Sequence, residues 1–310
     1  MPSVFIDGEA GTTGLEIRAR LAKLPLDVRS IDPALRRDPQ ARRALMASVD
    51  VAILCLPEEA AREAVTLAET LGPDAPRILD ASTAFRTDPG WAYGFPELSR
   101  SQKERVEYAA RVSNPGCYAQ GAIALLRPLV DTGFLPADYP LSINAVSGYS
   151  GGGRGMIEAH ARDGGPDFEL YALGLEHKHV PEIELYSGLT RRPLFVPSVG
   201  HFRQGMLVSI PLHQDALAGR PTRAELRAAL AGHYEDSRHV RVMDADDTSR
   251  VEATTLNETD RMELFVFGND SRQHALLVAR LDNLGKGASG AAVQNLLLML
   301  GIDEDTLAHG

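Results

Sequence analysis

A short apolar strand, Val4-Phe5-Ile6, runs into the turn Gly8-Glu9-Ala10-Gly11-Thr12-Thr13-Gly14 and then into a helical pattern through Ile17, Leu21 and Leu24. This order of strand, glycine turn and helix narrows the available folds to βαβ architectures. The glycines tighten the turn and let the backbone approach a pyrophosphate at the helix N-terminus. The spacing is G-x-x-G-x-x-G rather than the commoner G-x-G-x-x-G, and its physical use is the same. Leu26 to Ile31 reads as a second strand. Val51 to Leu56 is a continuous apolar run closed by Pro57, the pattern of a parallel strand buried on both faces. A helix over Glu58 to Leu71 and a strand over Arg77 to Asp80 continue the alternation. The first domain is therefore an α/β, doubly wound parallel sheet of the Rossmann type.

The rhythm changes after residue 116. Leu141–Val146, Leu194–Val199, Met206–Leu212, Glu263–Phe267 and His274–Leu281 read as strands without a regular helix between each pair, with helices near Pro181–Tyr186 and Arg223–Tyr234. A second α+β domain with a mixed or antiparallel sheet is expected over 117–286. The stretch Ala291–Leu300 is too apolar for a surface helix, so residues 287–310 are expected to return and complete the dinucleotide-binding domain of residues 1–116.

The formal charge of −10, without a basic block or interleaved aromatic patch, argues against nucleic acid as a partner. No apolar run approaches the ~18 residues of a membrane span, and the first residues enter a strand without a basic, apolar leader pattern. Cys55 and Cys117 provide neither a disulfide framework nor metal-ligand spacing. A reducing cytoplasm is the expected location, with no metal.

Chemistry concentrates at Ser113-Asn114-Pro115-Gly116-Cys117-Tyr118. A strand-like segment, Tyr108 to Ser113, meets an Asn-Pro-Gly turn and then a helix carrying Ile123, Leu125 and Leu126. Cys117 therefore opens a helix, where free N–H groups and the dipole favour a thiolate nucleophile. Backbone N–H groups near Asn114 and Cys117 are candidates for an oxyanion site. Cys55 lies inside a strand run and reads as core.

His177-Lys178-His179-Val180-Pro181-Glu182 is the second cluster, with Pro181 suited to a first helical turn. Residues two apart point to different sides of a strand or helix, so one histidine at most should meet a given thiolate. The other is expected to hold an anion with Lys178 or Arg154, or to face water. Ser147-Gly148-Tyr149-Ser150-Gly151-Gly152-Gly153-Arg154-Gly155 reads as a flexible loop whose backbone N–H groups and Arg154 close on an anionic group. Asp32 ends the predicted second strand, where an acid takes a ribose 2′-hydroxyl. Ser30, Arg36 and Arg37 stand beside it as receivers of a 2′-phosphate, which leaves NAD and NADP both open.

Taken together with Asp80-Ala81-Ser82-Thr83-Ala84-Phe85-Arg86, Gly94-Phe95-Pro96-Glu97-Leu98 and Asn283 to Ala291, these motifs resemble the short form of the N-acetyl-γ-glutamyl-phosphate reductase family of arginine biosynthesis. Aspartate-semialdehyde dehydrogenase is a relative that fits Phe95–Leu98 and His177–Glu182 less well. The resemblance implies an NADP-linked reductase, with NADPH/NADP⁺ on Gly8, Gly11, Thr12, Thr13, Gly14, Ser30, Arg36 and Ser82. It makes Cys117 the nucleophile and a histidine of the His177/His179 pair the acid/base. An acyl phosphate would be held by Asn114, Ser147, Ser150, Gly151, Arg154 and Glu182. Tyr149 departs from the smaller residue expected in the phosphate loop. A homo-oligomer, dimer or tetramer, is implied as well. Two other readings compete: a reductase of a related acyl phosphate (aspartate-semialdehyde or N-acetyl-aminoadipyl type), and a non-catalytic dinucleotide-binding regulator.

Overall fold

The computed structural model describes residues 1–304; the last six residues of the predicted C-terminal helix, 305–310, lie outside the described residues. Contacts divide the chain into two compact units. The first comprises Met1–Pro96, Arg100–Pro115 and the chain from Ala288 onward; the second comprises Glu97–Ser99 and Gly116–Gly287.

In the first unit the elements are β1 (Ser3–Asp7), α1 (Thr12–Leu21), β2 (Asp27–Arg29), α2 (Pro39–Met46), β3 (Val51–Leu54), α3 (Glu58–Glu69), β4 (Arg77–Asp80), β5 (Ala92–Tyr93), α4 (Gln102–Tyr108) and β6 (Arg111–Ser113). The strands form one parallel sheet in the order β2-β1-β3-β4-β6-β5. Alternation along each strand feeds two cores. Val4, Ile6, Val51, Ile53 and Leu79 join one cluster, and Phe5, Ala52, Leu54 and Ile78 join the other. This is why the strands read as unbroken apolar runs: both faces are covered. Two sequence expectations are corrected. The segment Tyr108–Ser113 is not one strand, because Tyr108 closes the charged helix α4 and only Arg111–Ser113 pairs with β4. The second strand stops at Arg29, so Asp32 lies beyond it, with its carboxylate accepting the Ala34 N–H at 2.9 Å.

The second unit begins with α5 (Cys117–Asp131) and continues through β7 (Ser142–Gly148), α6 (Gly153–Asp163), β8 (Phe168–Leu170), α7 (Val180–Ser187), β9 (Leu194–Gly200), β10 (Met206–His213), α8 (Arg223–His233), β11 (Val240–Val242), β12 (Met262–Asn269) and β13 (His274–Leu281). Its seven-stranded sheet, β11-β12-β13-β10-β7-β9-β8, is mixed. The β11/β12 and β7/β9 pairs are parallel and the remaining pairs antiparallel. Helix α5 lies on this sheet through its small residues. A Cβ added at Gly121 would sit 2.9 Å from Val208 Cγ2, so only glycine permits this approach.

The chain returns to the first unit as α9 (Gly290–Met299). Ala292, Leu296 and Met299 complete the cluster built on Val4, Ile17 and Leu21. Asn295 donates from Nδ2 to the Gly94 carbonyl at 2.8 Å and to Asn114 Oδ1 at 3.1 Å. Arg77 ties together two helix ends, donating to carbonyls of Glu107, Ala109 and Met299, where a cation also meets the negative end of each helix dipole. Among the described residues no helix is long and apolar enough to cross a membrane.

Leu296 is fully buried in this cluster, whereas Leu298 on the same helix is half-buried. Leu296→Ala should lower the unfolding free energy in urea by about 2–5 kcal/mol. Leu298→Ala should cost clearly less, and equal losses would mean α9 does not seal the sheet as described.

Candidate active site

In the second unit Cys117 is the first residue of α5, half-buried, after Gly116 as N-cap. No side chain caps this helix. The Gly116 N–H donates to Glu182 Oε2 at 3.1 Å. A Cβ built on Gly116 would lie 2.4 Å from His179 Nε2 and 2.6 Å from Glu182 Oε1. Imidazole and carboxylate therefore converge on a backbone position that has no side chain. On another side, a Cβ on Gly287 would meet Cys117 Cβ at 2.9 Å, so the Gly287 backbone lies directly against the cysteine.

His177 and His179 do not point to different sides, and neither faces water. They sit in the turn before α7, outside any strand or helix, where a turn directs both rings inward. Their ring centroids are 4.6 Å apart and both residues are buried. Tyr118 packs against both, at 5.9 and 5.8 Å, and Phe195 closes the cluster at 5.0 Å from His177. The His179 N–H donates to His177 Nδ1 at 3.1 Å, so a neutral His177 carries its proton on Nε2. That nitrogen lies 3.3 Å from Tyr171 Oη. Burial, opposed by a hydrogen bond with Tyr118 and aided by the nearby Cys117, pushes the Tyr171 phenol up to about 12. Burial raises Tyr118 as well, with Tyr171 and Cys117 adding to it, so both phenols stay protonated donors.

The segment Ser147–Gly155 is ordered, not a flexible loop. It ends β7, makes a 3-10 turn over Tyr149–Gly152 and enters α6, with Arg154 as the second helical residue. The N–H groups of Gly148, Tyr149 and Ser150 donate to carbonyls of Gly205, Phe202 and Arg203, so they form no anion nest. Ser147, Ser150 and Gly151 do gather around Asn283. Its Nδ2 donates to Ser150 Oγ at 2.9 Å, and its Oδ1 accepts the Gly205 N–H at 2.8 Å. Tyr149 fits because its ring stacks on His160 of α6 at 4.4 Å and 15°.

In the first unit Gly8 adopts φ +88°, and an added Cβ would lie 2.3 Å from the Cys55 carbonyl oxygen. A Cβ on Gly14 would strike the Gly8 oxygen at 2.6 Å. Gly11, by contrast, has only that oxygen within 3.4 Å, and it caps α1 without a side-chain hydrogen bond. Thr12 and Thr13 form the first turn. The cradle is bare backbone before a helix N-terminus, which fits a pyrophosphate. Ser82 closes on Asp80, donating to Oδ2 at 2.7 Å and accepting the Ala84 N–H at 3.0 Å. Ser30 meets Arg18 and Glu9, while Arg36 is exposed in the turn before α2. Burial pushes the Cys55 thiol up to about 12, consistent with a core residue.

Asn114 is a correction. Its N–H donates to the Asp80 carbonyl at 2.7 Å, its Nδ2 to the Ala288 carbonyl at 3.0 Å, and its own carbonyl accepts Arg86 Nε at 3.0 Å. It secures the turn before Cys117 and its amide is not available to an oxyanion. Glu182 is likewise engaged with the Gly116 N–H. Sequence reasoning missed Tyr118, Tyr171, Glu9, Arg18 and the buried pair Lys286–Glu97, in which Nζ lies 2.9 Å from both carboxylate oxygens. The Lys286 carbonyl accepts Gln120 Nε2 of α5 at 2.7 Å, one turn beyond Cys117. Only the motifs Phe95–Leu98 and Asn283–Ala291 hinted at that pair. Among the described residues no three His, Cys, Asp or Glu side chains are grouped to hold a metal ion.

Residues 117–283 match the family described as semialdehyde dehydrogenase, dimerisation domain, and residues 30–106 match semialdehyde dehydrogenase, NAD binding domain. Curated proteins named N-acetyl-gamma-glutamyl-phosphate reductase from Brucella ovis and Brucella canis are each 52% identical over 309 residues, spanning 97% of this chain and 99% of theirs. Solved structures share the fold. Aspartate semialdehyde dehydrogenase II from Vibrio cholerae superposes with a TM-score of 0.71 at 16% identity, over 97% of this chain and 98% of that one. The aspartate semialdehyde dehydrogenase from Candida albicans, solved with NADP, gives 0.64 at 14% identity over the same shares.

Gly116→Ala should lower stability by about 1–3 kcal/mol through overpacking. It should also shift the pH profile of Cys117 alkylation by iodoacetamide, read by mass spectrometry, because His179 or Glu182 must move. Gly155→Ala, inside α6 where an added Cβ meets nothing within 4 Å, should leave the alkylation profile unchanged and raise stability by about 0.5–1 kcal/mol. An unshifted profile in Gly116→Ala would separate the thiol from these two groups.

Proposed function

The chain belongs to the N-acetyl-γ-glutamyl-phosphate reductase family, and from that premise we propose that it reduces N-acetyl-γ-glutamyl phosphate to N-acetylglutamate 5-semialdehyde with release of phosphate, as a step of arginine biosynthesis. The observation that carries this reading is Cys117 at the uncapped start of α5, beside a buried histidine pair. We assign the dinucleotide to the first unit and the covalent chemistry to the second.

The α5 N-terminus favours the Cys117 thiolate. Its sulfur attacks the acyl-phosphate carbonyl, a C–S bond forms, and the C–O bond to phosphate breaks. The product is a thioester, whose carbonyl is less stabilised by resonance than an ester's and accepts hydride well. Bound NADPH supplies that hydride. The resulting thiohemiacetal collapses as its C–S bond breaks, with a proton delivered to the departing sulfur. We assign the proton to His177, whose Nε2 carries the hydrogen and lies 3.3 Å from Tyr171 Oη, in the ring cluster packed on Tyr118, the residue after Cys117. His179, against Gly116 and Glu182, holds the turn in place. Ser147, Ser150, Gly151 and Arg154 are assigned to the anionic end of the substrate. Two free cysteines suit a reducing cytoplasm.

Purified protein given the semialdehyde, phosphate and NADP⁺ should reduce the cofactor, which the nicotinamide absorbance reports. Cys117→Ser should lose this by about 10³-fold or more while remaining folded. His177→Asn should flatten the pH profile of kcat, whereas His179→Asn should retain its shape at reduced amplitude. Unimpaired turnover in Cys117→Ser would remove the thioester route.

We also propose a homo-oligomer formed through the sheet of the second unit. The face opposite α5 carries an open hollow of about 540 Å³ lined by Val146, Val196, Leu207, Phe267, Leu276 and Val278. Phe168, Leu170 and Leu276, which also line it, are exposed, a patch that invites cover. Leu276→Arg should reduce the mass measured by multi-angle light scattering to that of one chain; an unchanged mass would place the interface elsewhere.

A further inference from the structure

Three side chains from three different elements meet at the end of β2. Glu9 comes from the glycine turn, Arg18 from α1 and Ser30 from the residue after the strand. Arg18 Nη1 donates to Ser30 Oγ at 2.9 Å, Ser30 Oγ donates to Glu9 Oε2 at 2.8 Å, and Arg18 Nε stands 3.5 Å from Glu9 Oε1. Both charged side chains remain open to solvent, at 37% and 29% exposure. Asp32, the acid that the sequence offers for this place, is turned onto the Ala34 N–H instead.

In a doubly wound domain the adenosine ribose lies at the end of the second strand. An acid there accepts from a 2′-hydroxyl, while a guanidinium takes a 2′-phosphate. This cluster holds one of each, joined through a hydroxyl. We propose that Arg18 is the residue that selects a 2′-phosphorylated dinucleotide, with Ser30 as second donor and Glu9 as the counter-ion that restrains them. The proposal rests on the reading that the Gly8–Gly14 turn binds a dinucleotide.

The physical basis is an exchange of acceptors. A 2′-phosphate presents three strong acceptor oxygens and more negative charge than one carboxylate. Arg18 and Ser30, which both bond toward Glu9, turn their hydrogens to the phosphate. Glu9 then stands near it as a like charge and weakens the preference. A dinucleotide with a free 2′-hydroxyl has no use for Arg18 and finds its acceptor in Glu9. Arg18 thus sets the preference and Glu9 limits it, so the two substitutions should act in opposite directions.

Isothermal titration of the whole protein with 2′,5′-ADP, 5′-AMP, NADPH and NADH tests this without turnover. Arg18→Gln should weaken 2′,5′-ADP and NADPH by about ten- to a hundredfold, the weight of a charge-assisted phosphate contact. The same variant should leave 5′-AMP and NADH within about twofold, since neither carries the group that Arg18 contacts. Arg18→Lys should recover part of the loss, keeping the charge but not the fork. Glu9→Gln should tighten 2′,5′-ADP by about two- to fivefold, the range of an exposed charge pair. Equal weakening of both nucleotides in Arg18→Gln would make Arg18 a support of the turn and overturn the proposal. An unchanged Kd there, or no tightening in Glu9→Gln, would overturn it as well. If the wild-type protein bound neither NADPH nor NADH, the dinucleotide reading would fail and this proposal with it. NADPH binding that ignores Arg18 would sink the proposal alone.

Discussion

The second unit is arranged around a missing Cβ. At Gly116 the backbone N–H donates to Glu182, the His179 ring packs where a side chain would be, and the next residue is Cys117. Any other residue there would displace the imidazole or the carboxylate. Because Gly116 carries no capping side chain either, the first turn of α5 keeps its N–H groups and dipole directed toward the sulfur. One glycine thus joins a helix terminus, an acid and a histidine pair over a distance that side-chain packing alone would not allow.

A second set of buried polar contacts keeps that helix in place. Gln120, one turn into α5, donates to the carbonyl of Lys286, whose ammonium is held by both oxygens of Glu97. Lys286 and Glu97 are almost fully buried. A buried ion pair is weak evidence for stability, since desolvation offsets most of the attraction. Its use here is geometric. It anchors the backbone just before Gly287, which in turn lies against Cys117. In the first unit Asn114 uses its N–H, carbonyl and side chain to hold the Asn-Pro turn at the end of β6.

Much of the site chemistry was legible because it is local. A strand, a glycine turn and a helix start can be read within a dozen residues, and so can a cysteine after Asn-Pro-Gly. The errors came where local rules met longer contacts. The alternation argument separated His177 from His179, but a turn has no fixed period, and both rings fold inward against Tyr118. The glycine-rich run 148–153 suggested loose anion-binding backbone, but the amides of Gly148, Tyr149 and Ser150 are taken by carbonyls at 202–205. Asp32 matched the usual place for a ribose acid, yet β2 ends early and its carboxylate bonds the following turn.

From the chain of letters alone came the doubly wound sheet, the mixed second sheet, the glycine turn before α1 and a cysteine at a helix start, because hydrophobic period, glycine placement and helix starts are properties of neighbouring residues. Only the folded chain decided which polar groups are spent on structure and which stay open for chemistry. It removed Asn114 from the oxyanion candidates and brought Arg18, Glu9 and Ser30 together. It also bound Glu97 to Lys286 across 189 residues of sequence. Hydrogen bonds are made with whatever partner three-dimensional packing supplies, and no periodicity in the sequence records that partner.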